Sequence, residues 1–171
     1  DEDIEIREAF GAAPARYLME PMTLARLVQA LEIEPGDRAL VVGCATGYSA
    51  ALLARLAGEV IALESEEALA AEARRIVKSR NVTLVSGALN AGWPYGAPYN
   101  AILIDGSVEF VPDAITSQLA DGGRLVAVVG RGRAAKALLH VMSGGVVSAR
   151  PLFDAAIPPL PGFARPPQFV F

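Results

Sequence analysis

The chain has 171 residues, a net charge of −4, 53% hydrophobic residues and a single cysteine. That length suits one domain that buries about 70% of its unfolded surface without staples. The acidic balance sets nucleic acid aside as the main partner, Cys44 alone excludes an internal disulfide and is compatible with the cytoplasm, and no apolar run approaches the ~18 residues of a membrane span.

Residues 1–20 read as an irregular lead-in: Asp1-Glu2-Asp3 is acidic, and Gly11-Ala12-Ala13-Pro14 breaks any helix. The chain opens on Asp1 rather than Met, which leaves open that residues upstream are missing, and no signal peptide is visible. Pro21 or Met22 starts a helix to about Leu31, with Leu24, Leu27, Val28 and Leu31 on one face. Glu34-Pro35-Gly36-Asp37 is a turn. Ala39 to Val42 is a short apolar run with two valines, suited to a buried parallel strand. The small-residue turn Gly43-Cys44-Ala45-Thr46-Gly47-Tyr48 leads into an alanine-rich helix, Ser49 to Leu56. A second strand, Val60 to Leu63, ends on Glu64. Glu66 to Lys78 is a helix whose acids precede its bases, as the helix dipole prefers.

Asn81 to Ser86 is the third strand, and Gly87 to Pro98 a loop rich in glycine, proline and aromatics. Tyr99 to Ile104 is the fourth, ending at Asp105-Gly106-Ser107, and Pro112 to Leu119 is a short helix. Asp121-Gly122-Gly123 turns into the strand Arg124 to Val129. Ala135 to Met142, the turn Ser143-Gly144-Gly145 and Val146 to Phe153 form an antiparallel hairpin. The tail from Pro158 to Phe171 is proline-rich and extended, and Phe169-Val170-Phe171 is suited to pairing at a sheet edge. The whole reads as one α/β domain over residues 1–171, a doubly wound, mostly parallel seven-stranded sheet with a C-terminal antiparallel hairpin.

Strand, small-residue turn, helix, strand and an acid roughly twenty residues on is the layout of a nucleotide-type cofactor site. The turn would let a ligand approach bare amides at a helix start, and Glu64 would accept from two ribose hydroxyls. A dinucleotide fingerprint from Gly43 needs glycines at 45 and 48, where Ala45 and Tyr48 stand. A P-loop needs Lys and then Ser or Thr after its last glycine, and Tyr48-Ser49 follow instead. An adenosine ligand without phosphates remains, and S-adenosylmethionine fits. The competing reading is a plain strand–helix turn with no ligand. No metal site is expected.

The segment from Gly36 to Ala54, together with Ala97-Pro98-Tyr99-Asn100-Ala101-Ile102 and Gln118 to Val126, resembles the protein-L-isoaspartate O-methyltransferase family. The hairpin matches that family's strand arrangement as well. The resemblance implies the Rossmann-like class I methyltransferase fold and methyl transfer from S-adenosylmethionine to isoaspartyl carboxylates in damaged proteins. Carried over, Gly43, Cys44, Ala45, Thr46 and Gly47 line the methionine part of the cofactor, with Tyr48 beside them. Glu64, flanked by Ser65, holds the ribose, and Gly87, Ala88 and Leu89 sit by the adenine. Four positions depart from the family pattern. Val41, Ala88 and Asn100 stand where acids are usual, and Met19 stands where a serine works in the active site.

A carboxylate acceptor is already ionised at pH 7 and needs no general base, so the near absence of histidine does not exclude this chemistry. The enzyme need only align donor methyl and acceptor oxygen and desolvate them. No catalytic residue is assigned, with Met19 and Asp105 as candidates; Met19 is better read as core and Asp105 as a turn cap. Cys44 and His140 read as structural. Trp93 and Tyr95 read as loop packing or an adenine cover, and Arg131, Arg133 and Lys136 as a solvated turn. Two other functions stay open: a non-catalytic domain of the same fold that binds partners, and a methyltransferase with another acceptor. The oligomeric state is left undetermined.

Overall fold

The structure, a computed structural model, describes residues 3–7 and 15–165. It begins with strands β1 (Ile4–Arg7) and β2 (Arg16–Leu18) and helix α1 (Pro21–Ala30). Next come β3 (Arg38–Val42), α2 (Tyr48–Leu53), β4 (Glu59–Glu64), α3 (Glu67–Ile76) and β5 (Val82–Ser86). The chain continues through β6 (Tyr99–Val108), α4 (Asp113–Thr116), β7 (Leu119–Val129), β8 (Lys136–Ser143) and β9 (Val146–Asp154).

Seven strands form one sheet in the order β5-β4-β3-β6-β7-β8-β9. The first five are mutually parallel, and β8 and β9 return antiparallel, as the sequence leads one to expect. Along β3, Ala39 and Val41 point to one face and Leu40 and Val42 to the other, and all four are fully buried. A strand dry on both sides must be covered on both. Leu24 and Leu27 of α1 and Leu53 of α2 cover one face, packing with Val41, Leu103 and Val126. Ile115 of α4 and Phe163 of the tail cover the other, with Leu40, Ile102 and Tyr99. Among the described residues no helix is long and apolar enough to cross a membrane.

Proline at the first position starts α1, and the preceding Glu20 caps it by accepting from the amides of Met22 and Thr23 at 3.1 and 2.7 Å. Several boundaries differ from expectation. α2 stops at Leu53, three residues early, and α3 stops at Ile76 because Val77 is already extended. α4 spans only four residues, since Leu119 is drawn into β7 by pairing with Tyr99. Inside the loop from Gly87 to Pro98 two short 3-10 turns form. Gln118 clamps that loop, donating to the carbonyl of Ala91 at 2.8 Å and accepting from the amide of Trp93 at 2.9 Å.

The lead-in is the main correction. Residues 1–20 are not all irregular: β1 and β2 pair antiparallel, Ile4 opposite Leu18. Alternation in Arg16-Tyr17-Leu18 is too short to stand out against the glycine and proline before it. The edge pairing suggested for Phe169-Val170-Phe171 lies outside the described residues.

Candidate functional site

The strand order reverses beside β3, with β4 on one flank and β6 on the other. Three groups therefore meet: Gly43 after β3, Glu64 closing β4, and Asp105, which is not a turn cap as expected but lies inside β6, a strand that runs past Ile104 to Val108. In open α/β sheets this crevice is where ligands collect.

The bend after β3 is shaped by left-handed backbone at Gly43 (φ 83°), Ala45 (φ 49°) and Gly47 (φ 92°). Gly47 also faces the end of α3, where a Cβ would lie 2.4 Å from Val77 Cγ2. Its glycine thus serves helix packing. The amides are not bare, contrary to expectation. Those of Gly43 and Cys44 donate to the carbonyl of Leu63 at 2.9 and 3.1 Å, and that of Gly47 donates to the carbonyl of Cys44 at 2.7 Å. The amide of Ala45 donates to Glu64 Oε2 at 2.8 Å.

Glu64 does turn toward the bend, and it is fully buried. Its carboxylate is already saturated. Arg16 Nη1 and Nη2 donate to Oε1 and Oε2 at 2.7 and 2.8 Å, a bidentate pair with side chains 3% and 1% exposed. The amides of Ser65 and Glu66 donate to Oε1 at 2.8 and 3.1 Å, and the Ser65 hydroxyl at 3.3 Å. A carboxylate offers roughly four lone-pair sites, so no acceptor capacity is left for a ribose diol. Burial works to raise the Glu64 pKa, but the Arg16 guanidinium and the amides of Glu66 and Ala45 outweigh it and hold the acid below its usual value.

The neighbouring space is filled as well. Leu160 lies over Gly43 and Gly106, whose hydrogens leave it room: a Cβ on Gly106 would come 2.5 Å from Leu160 Cγ, and one on Gly43 2.9 Å from Cδ2. Two backbone hydrogen bonds hold this segment, Ser107 to the carbonyl of Pro158 at 3.0 Å and Leu160 to the carbonyl of Ser107 at 2.8 Å. What remains between Arg16, Met19, Asp105 and Leu160 is a cavity of about 20 Å³, room for one water.

Asp105 borders that cavity. Burial raises its pKa to about 6, with the Glu64 charge adding to the effect and Ser49 and Arg16 opposing it. Ser49 Oγ is itself buried without a hydrogen bond of normal geometry among the described residues. Met19 is 7% exposed and belongs to the core while touching the same cavity. Cys44 is 1% exposed, and burial, then the charges of Glu64 and Asp105, push its thiol up to about 12, too high for a nucleophile.

Thr46 is half-buried, while Tyr48 and Ser65 are exposed. Of the residues expected beside the adenine, Leu89 is buried and Ala88 exposed, and Gly87 packs between Leu63 and Trp93. Trp93 meets Tyr95 edge-on with ring centres 5.2 Å apart. His140 pairs opposite Leu125 in β8, and burial keeps its pKa below the usual imidazole value. Val41 stands in dry core, where the acid usual in the resembling family would be buried. Asn100 keeps an acceptor in place by receiving the amide of Arg38 at 2.9 Å.

The residues that sequence reasoning missed are Arg16 and Leu160. Arg16 sits in a stretch dismissed as irregular, and Leu160 in a proline-rich tail. No spacing ties either one to the bend.

The sequence model of Protein-L-isoaspartate(D-aspartate) O-methyltransferase matches residues 8–151. A protein-L-isoaspartate O-methyltransferase of Anaeromyxobacter dehalogenans strain 2CP-1 is 40% identical over 146 residues, which are 80% of this chain and 70% of that one. A solved protein-L-isoaspartate O-methyltransferase superposes with a TM-score of 0.81 at 24% identity, over 94% of this chain and 53% of its own. A Plasmodium falciparum protein assigned to the same activity, crystallised with S-adenosyl-L-homocysteine, gives a TM-score of 0.72 at 19% identity, over 93% and 80%. The chain thus spans between 53% and 80% of these three proteins' own lengths.

Proposed function

The chain belongs to the protein-L-isoaspartate O-methyltransferase family, and from that premise we propose that it transfers a methyl group from S-adenosylmethionine to an isoaspartyl carboxylate of a damaged protein or peptide. The observation that carries this reading is Glu64, a buried and ionised acid at the end of β4, turned onto the Ala45 amide of the bend. That is the group and the place a ribose diol requires.

The polar groups fit the cofactor; the room does not until Arg16 and Leu160 withdraw, since clefts for ligands of that size run to roughly 300–1000 Å³. With both withdrawn, residues Gly43 to Tyr48 would flank the methionine part, Glu64 and Ser65 the ribose, and Gly87, Ala88 and Leu89 the adenine. The cofactor supplies an activated methyl group. The chain's own task is then to hold an already ionised acceptor in line and exclude water. Asp105, beside the bend, is placed to act on the substrate side, and Met19 contributes an apolar wall where the family's serine is absent. The acidic net charge favours a protein partner over nucleic acid, and a single reduced cysteine is compatible with the cytoplasm.

Titration calorimetry with S-adenosylmethionine and S-adenosylhomocysteine tests the reading, followed by methyl transfer to an isoaspartyl peptide against its aspartyl twin. Binding of both ligands and transfer to the isoaspartyl peptide alone are expected. Dissociation constants far above millimolar for both ligands would refute it. A non-catalytic domain of the same fold is the second reading, and the filling of the seat by Arg16 and Leu160 is what favours it.

A further inference from the structure

The Arg16 fork approaches Glu64 as a ligand would. Its two terminal nitrogens each donate to a different carboxylate oxygen, at 2.7 and 2.8 Å. A cis-diol presents two donors in the same manner. Leu160 meanwhile rests on Gly43 and Gly106, two glycines of the crevice. The chain therefore covers both halves of its own seat, the polar half with a guanidinium and the apolar half with a leucine.

Both covering segments have few backbone bonds, although the side chains of Arg16, Leu160 and Phe163 are buried. β2 is three residues long and pairs only with β1, in a sheet separate from the main one. Two-stranded ribbons are marginal on their own. The backbone over Gly106 is tied by two hydrogen bonds to Ser107, which together make its parallel bridge to Pro159. Such elements open at much lower cost than the core sheet. Burial works against the Arg16 charge, but the hydrogen bonds and charge of Glu64, with the charges of Glu66 and Asp105, outweigh it and hold the guanidinium protonated.

We infer that Arg16 is an internal competitor for the cofactor: its guanidinium occupies the carboxylate of Glu64 that a ribose diol needs, Leu160 closes the seat, and cofactor binding has to displace both. This rests on the reading of the seat given above. The ligand's apparent affinity is then lowered by the fraction of molecules whose seat is open. Anything that lifts β2 away, a partner protein included, raises affinity without touching the ligand.

The test compares S-adenosylhomocysteine binding by calorimetry to the intact chain, Arg16→Ala and Leu160→Ala, each checked for folding by circular dichroism. Arg16→Ala should bind about tenfold tighter or better, and Leu160→Ala should change in the same direction. Limited trypsin digestion gives an independent readout: cleavage after Arg16 should be slow in the free protein and faster when the ligand is bound. If the intact chain binds and both variants bind equally or more weakly, the competitor is disproved and the functional reading stands. If neither the intact chain nor either variant binds at millimolar ligand, both fall. Should Arg16→Ala fail to fold, Leu160→Ala and the trypsin pattern decide.

Discussion

Removing Arg16 should weaken the fold, by an amount its surroundings allow one to state. The pair it makes with Glu64 is 3% and 1% exposed, so neither charge can recover its hydration when the other is deleted. Breaking a buried ion pair from one side costs about 3–5 kcal/mol. Here Glu64 keeps the amides of Ala45, Ser65 and Glu66, which moves the expected loss toward the low end, about 3 kcal/mol. With a urea m-value of about 2 kcal/mol/M, Arg16→Ala should lower the unfolding midpoint by about 1.5 M at pH 7.5. Glu64→Gln should lose stability as well, and the double variant should lose less than the two added together, with a coupling of about 2 kcal/mol. The Glu64 pKa is lowered from 4.5 in the fold, so its contribution is present above pH 4.5 and fades as pH falls through the folded value. The deficit of Arg16→Ala should shrink with it. A loss under about 1 kcal/mol at pH 7.5, or strict additivity in the double variant, would show that the pair does not hold the lead-in to the sheet.

Asp105 titrates in the opposite sense. Its pKa rises from 3.8 to about 6 in the fold, so the native state binds its proton more tightly and loses stability as pH climbs through that window. Asp105→Asn should gain on the parent between pH 4 and pH 7 by up to about 3 kcal/mol in urea melts, and a difference flat in pH would contradict the assignment. Gly106→Ala should cost upward of about 1–3 kcal/mol, because its φ of 156° strains any side chain and its Cβ would meet Leu160 at 2.5 Å, while Leu160→Ala in the same chain should relieve the steric part alone, so that the double variant loses less than the two singles added. Strict additivity would mean Leu160 does not rest on Gly106.

The parts legible in the sequence are those whose signals are local. Ala39 to Val42 reads as a doubly buried strand because four apolar residues in a row leave no wet face, and all four are buried. Glu64 is placed by the length of one strand–helix–strand unit, which is fixed by how far a helix must travel to return. The hairpin is marked by Ser143-Gly144-Gly145, where both glycines adopt positive φ. Arg16 has no such signal. It meets Glu64 across 48 residues, and β2 is too short for a period to show. Leu160 stands between prolines, which encode an extended backbone and nothing of what that backbone lies against. The family resemblance could not supply either one, because the segments that carry it, Gly36 to Ala54, Ala97 to Ile102 and Gln118 to Val126, contain neither residue.

That acid is the reason the seat is filled. Three backbone amides and one hydroxyl favour the ionised form of this buried carboxylate, and the Arg16 guanidinium adds the counter-charge that further offsets its burial. Cofactor hydroxyls would satisfy its oxygens, yet a ribose carries no positive charge. Arg16 satisfies the oxygens and supplies the charge together. The same two hydrogen bonds therefore stabilise the fold and oppose the ligand. A residue that merely lines a binding site loses stability and affinity together, or affinity alone, when it is deleted. Arg16 should separate them, with stability falling and affinity rising. Opposite signs from a single substitution cannot arise from general loosening of the site, because a loosened seat would hold the ligand less well.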